Sequence, residues 1–174
     1  MFFSQHKRLG TQTGQGVWQT LQTASLTSRL GSKGFFDPPS DFYFDSYISG
    51  FVIGAVTGSL IAGAKGSRWS SKKKGEFMYC ALEVVDPSLT VAKIFLGDLS
   101  VSDQNLHAEG NTDGLSVSMA VYNGLKPDDP DPKVVRAREM AEMFSGTLGS
   151  KGDLGGALIS LTIQKYMAER WGEF

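Results

Sequence analysis

The stretch YISGFVIGAVTGSLIAGAKG, Tyr47–Gly66, decides how the rest of the chain is read. From Tyr47 to Ala64 it runs 18 residues without a charge. A bilayer core takes about 20 helical residues, with about 17 as a working minimum, so the run is just long enough to cross one. Ser49, Thr57, Ser59 and the glycines dilute its hydropathy. Gly50, Gly54 and Gly58 recur at every fourth position, which places them in one flat stripe on a helix. Val52, Ile53, Val56 and Leu60 fall on the opposite side. A membrane helix uses that division, with bulky groups toward lipid and small residues admitting a second helix. In water each glycine costs a helix roughly 1 kcal/mol against alanine. The spacing therefore predicts a transmembrane helix over 46–64 whose packing face is Gly50, Gly54 and Gly58. A glycine-rich core helix, or two short strands joined at glycine, is the alternative.

The flanks agree with a span. Phe42, Tyr43, Phe44 and Tyr47 stand at one end and Trp69 at the other, where aromatic belts form. Asp37, Asp41 and Asp45 precede the run; Lys65, Arg68, Lys72, Lys73 and Lys74 follow it. By the positive-inside rule the C-terminal flank faces the cytoplasm or matrix. Those basic residues and Trp69 are expected to border the membrane and meet lipid head groups.

Charge is segregated along the whole chain. The total over 174 residues is only −1. Residues 1–36 nevertheless carry +4 with no acid, 65–74 carry +5, and 75–174 carry −7. Blocks of one sign point to topology or to an interacting tail. The first 36 residues are basic, acid-free and rich in Ser, Thr and Gln, the composition of an organellar transit peptide. A polar surface tail fits the same composition. No early apolar core marks a secretory signal.

Beyond SSKKKG a small mixed region is expected over 75–125. The β-branched content of Leu89–Leu96 favours strand, and Leu115, Val117, Met119 and Val121 alternate as a second strand. SVSDQNLHAEGNTDG between them reads as a polar loop. Strand or helix stays open for 76–99. KPDDPDP is an acidic linker, and Asp131-Pro132 opens a helix to about Ser145. Asp153 caps a second helix to about Trp171, which makes 131–171 a helical hairpin. The expected fold is a single transmembrane α-helix followed by a small α+β or mainly α C-terminal domain ending in that hairpin.

No reaction can be read from the residues. Cys80 is the only cysteine, so an internal disulfide and multi-cysteine metal sites are excluded. His107 and Glu109, with Asp103 and Asp113 nearby, match no ligand spacing and read as a solvated loop. GAKGSRWSS lacks the spacing of a phosphate loop. No cofactor, metal, nucleic acid or small-molecule substrate is expected. The stripe and the transit-like segment are in the general style of accessory subunits of organellar membrane complexes. The expected role is a structural, non-enzymatic subunit of a respiratory complex or ATP synthase in the mitochondrial inner membrane. Its partners would be other subunits and membrane lipids. An envelope or secretion-machine component of a bacterial inner membrane or phage, and a soluble α+β binding module, are the alternatives.

Overall fold

The computed structural model describes residues 4–25, 28–30, 36–63, 68–123, 130, 135 and 151–172. Six α-helices and no strand occur among them. They are α1 (Gln5–Ser25), α2 (Ser46–Ala62), α3 (Ser71–Val85), α4 (Thr90–Leu96), α5 (Gln104–Asn123) and α6 (Lys151–Trp171), with a 3₁₀ turn at Phe42–Phe44 before α2. The chain forms two compact units, Met1–Gln19 with Pro38–Met119, and Thr20–Asp37 with Ala120–Phe174.

The first unit is built around α2. Asp45 caps this helix by accepting the Ile48 N–H at 3.0 Å. The helix ends at Gly63, whose N–H returns to the Ser59 carbonyl at 3.0 Å. An apolar helix with no polar face is either a membrane span or the centre of a bundle. Here it is the centre. Tyr47, Ile48, Phe51, Val52, Ile53 and Val56 are all buried, as are Ser46, Ser49 and all three stripe glycines. The 3₁₀ turn, α3 and α4 pack on it, and α5 closes on its glycines.

That arrangement corrects the expected transmembrane segment. No described helix is long and apolar enough to cross a membrane. At about 1.5 Å per residue, the 17 residues of α2 reach about 26 Å, short of a hydrocarbon core of about 30 Å. Its glycines and hydroxyl residues lower the hydropathy further, and they have a different use. A Cβ on Gly50 or Gly54 would collide with the backbone carbonyl of His107 or Asn111 in α5. Gly110 and Gly114 return the relation, lying against the carbonyls of Tyr47 and Phe51. Residue numbers rise together across the contact, so α2 and α5 run parallel. Glycines on both helices bring the two backbones within reach of Cα–H···O contacts.

The expected α+β character is corrected as well. Thr90–Leu96 is α4 and the stretch around Leu115–Val121 is part of α5. The region read as a polar loop forms the first half of α5. Asp103 caps it, accepting the N–H groups of Asn105 and Leu106 at 3.0 Å each. The polar residues that suggested a loop are used against α2. Ser46 Oγ accepts the Asp103 N–H at 3.0 Å, His107 Nδ1 lies 3.1 Å from the Ser46 carbonyl, and Tyr47 donates to Asp113 at 2.7 Å. Ser118 donates to the Ala55 carbonyl at 2.8 Å. Alternation at 115–121 is therefore incidental to a helix whose buried positions include Val117 and Ser118.

A second pair of parallel helices repeats the device. Gly10 and Gly14 of α1 lie against the carbonyls of Phe77 and Ala81 in α3. The SSKKKG segment, beyond which the mixed region was expected to begin, is the opening of α3. The turn from α3 to α4 is built on Asp86, a buried carboxylate. It accepts from Ser88 N–H at 3.0 Å, Ser88 Oγ at 2.5 Å and Val91 N–H at 2.9 Å. Leu89 in this turn takes the left-handed conformation at φ 63°. Tyr43 donates to the Val85 carbonyl at 2.6 Å, and burial, with Asp86 adding, pushes its phenol well up.

In the second unit α6 covers Lys151–Trp171, and its Ile163 and Met167 are fully buried. The Arg29 N–H donates to the Gly172 carbonyl at 3.1 Å. Gly172 takes φ 88°, a conformation that suits glycine. The helix expected over 131–145 lies outside the described residues, apart from Val135.

Candidate functional site

The residues singled out in the sequence occupy different places. Gly50, Gly54 and Gly58 are buried against α5 of the same chain. Lys65 lies outside the described residues. Arg68, Lys72 and Lys73 are exposed and Lys74 is half-buried. Trp69 sits between two rings, 5.9 Å from His6 in an edge contact and 5.8 Å from Phe77. The side chains of His107 and Asp113 serve the α2–α5 contact, Asp103 caps α5 and reaches α2 through its backbone N–H, and Glu109 is exposed. Among the described residues no group of three or more His, Cys, Asp and Glu could hold a metal ion.

Among the expected site residues, Lys72 lines a groove. A groove of about 410 Å³, open on one side, runs between α3 and α4, with Lys7 of α1 at its edge. It is lined by Lys7, Lys72, Gly75, Glu76, Tyr79, Cys80, Leu82, Ala92, Phe95 and Leu96. On α3 the positions 72, 75, 76, 79 and 80 share one face, because residues three and four apart are neighbours on a helix. The turn at Asp86 swings α4 back so that Ala92, Phe95 and Leu96 form the other wall. Leu82 and Ala92 are buried, whereas Tyr79, Phe95 and Leu96 remain 41%, 41% and 61% exposed. Full burial of a large apolar side chain contributes roughly 1.5–3 kcal/mol. Three such groups left open along one groove form a surface with much to gain from being covered.

The polar end is tied to α1. His6, itself buried, donates through Nε2 to Glu76 at 2.5 Å, with Ser4 Oγ 3.1 Å from the same nitrogen. Lys7 Nζ stands 4.0 Å from Glu76. The hydrogen bond from His6 holds the Glu76 carboxyl below its usual value, against partial desolvation and with help from the charges of Lys7 and Lys72. Burial pushes the Cys80 thiol up, partly opposed by Lys7. At neutral pH this sulfur stays protonated, so the groove holds no activated nucleophile. What it offers is an apolar trough with cations at one end.

The sequence carried a signal for the groove that a strand reading hides. EFMYCALEVV and LTVAKIFLGDL are both apolar; the first follows the basic run Lys72–Lys74, and the second follows the Asp86-Pro87 turn. Read with helical period, Tyr79 aligns with Lys72, Gly75 and Glu76. Phe95 and Leu96 then fall at the exposed end of a seven-residue helix. Comparison of the chain with protein families, with curated proteins and with solved structures finds no match.

Proposed function

We propose that the chain is a helical binding module that acts by non-covalent capture in the groove between α1, α3 and α4. The observation that carries this reading is the incomplete burial of Tyr79, Phe95 and Leu96 along one cavity. Elsewhere in the first unit the large apolar side chains of α2 and α3 are nearly all enclosed. The roles expected from the sequence, an accessory subunit or an envelope component, leaned on a helix crossing the bilayer. No described helix is long and apolar enough for that; what supports a binding role is the open groove, and the part retained from those expectations is action without chemistry.

Binding of the apolar dye N-phenyl-1-naphthylamine tests this reading. Gly75 lies at the mouth, and a Cβ there would meet nothing within 4 Å. Gly75→Phe should therefore fold while obstructing the groove. The expected result is saturable one-to-one fluorescence enhancement in the native chain and its loss in the variant. Absence of binding, or equal binding by Gly75→Phe, would count against the groove as the site.

A further inference from the structure

The lining of the groove is sorted from one end to the other. Lys72, Gly75 and Glu76 belong to the opening turns of α3, and Tyr79, Cys80 and Leu82 follow toward its middle. The opposite wall, Ala92, Phe95 and Leu96, is wholly apolar. Charge at the polar end does not cancel. The Glu76 carboxylate is already engaged by His6 at 2.5 Å and approached by Lys7 at 4.0 Å. Lys72 forms no ion pair within 4.0 Å among the described residues. Two lysines therefore face one engaged carboxylate, and the apolar trough leads directly away from them.

Resting on the reading of the groove as a binding site, we propose that its ligand is a single-chain amphiphile with an anionic head, a free alkyl carboxylate. The head lies at Lys72 and Lys7; the chain lies along Tyr79 and Leu82 on one side and Ala92, Phe95 and Leu96 on the other. A volume of about 410 Å³ falls near the lower end of the roughly 300–1,000 Å³ typical of small-molecule sites. The cations stand at one end only, which matches a ligand charged at one end only. Lysine suits such a head because it presents a flexible point charge and needs no fixed planar partner.

Calorimetric titration of the full chain with decanoate, octanoate and 1-decanol, each below its aggregation concentration, tests the assignment. Decanoate should bind one to one and more tightly than 1-decanol by at least several-fold. Each methylene removed should weaken binding by up to roughly fourfold, the ratio corresponding to the burial of one CH₂. Lys72→Glu should reduce decanoate affinity to that of 1-decanol or below, weakening decanoate by a much larger factor than 1-decanol. Lys72→Arg should retain the preference, and a melting curve for each variant confirms its folding. Equal affinity for acid and alcohol, unaffected by Lys72→Glu, would overturn the anionic head and leave the apolar groove standing. Binding of the naphthylamine dye in the groove without either amphiphile would overturn the amphiphile and point to a macromolecular partner. Failure of the dye and both amphiphiles together would overturn the groove reading itself.

Discussion

Two glycines on similar helices in the first unit should respond to alanine in opposite directions. A Cβ at Gly16 would meet nothing within 4 Å, whereas one at Gly54 would strike the Asn111 carbonyl and stand 2.9 Å from the Leu115 nitrogen. Gly16→Ala should therefore stabilise the chain by up to about 1 kcal/mol through helix propensity. Gly54→Ala should destabilise it by roughly 1–3 kcal/mol, because backbone on both sides must separate. Urea denaturation of the two variants distinguishes them, and a stabilised Gly54→Ala would disprove the close approach of α2 and α5. Glu76 provides a second test at this scale. Its carboxyl is held below the usual 4.5 in the folded chain, chiefly by the His6 hydrogen bond. A lowered folded value means that the contribution is present above the unfolded value and is lost as pH falls through the folded one. The difference in melting temperature between the native chain and Glu76→Gln should accordingly be positive near neutrality and close as the solution is acidified. A difference that stays constant through the acid range would remove the Glu76 charge from the clasp between α1 and α3.

At the scale of elements, the α3–α4 turn depends on one buried carboxylate. Asp86→Ala leaves the buried Val91 N–H without its acceptor, and a buried donor without a partner costs roughly 1–3 kcal/mol; the exposed Ser88 N–H loses the same acceptor. Hydrogen exchange should then accelerate first at Ser88–Val91, before the rest of the unit responds; uniform exchange across the unit would show that the turn is held in another way. The contrast between α2 and α5 shows what the sequence discloses. The one-sided geometry of Gly50, Gly54 and Gly58 follows from their spacing of four. What faces them does not, because Gly110 and Gly114 lie among polar residues that resemble a loop. Those polar groups are satisfied across the contact by Ser46, Tyr47 and the α2 carbonyls, a long-range match that local pattern cannot express. An apolar helix without a polar side has the same sequence signature in a bilayer and at the centre of a bundle. The short runs at 76–85 and 89–96 were ambiguous for another reason, since a few apolar residues fit either period. Without the turn at Asp86 to fold them together, no groove was visible. Lys72 marked its position, under a different assignment.

At the scale of the molecule, each unit has its own contacts: α2 with its surrounding helices in the first, and α6 with its buried Ile163 and Met167 in the second. The segregated charge takes on a local meaning in the first unit. Part of the basic run becomes the opening of α3, and its Lys72 stands at the cationic mouth of an apolar groove. Cys80, the only cysteine in 174 residues, lines that groove. The most direct measurement is the rate of Cys80 alkylation by a maleimide with and without decanoate. If the groove is the binding site, the rate should fall saturably as decanoate is added, and Gly75→Phe should show no such dependence. An unchanged rate at decanoate concentrations that saturate the chain would place binding elsewhere and contradict the account.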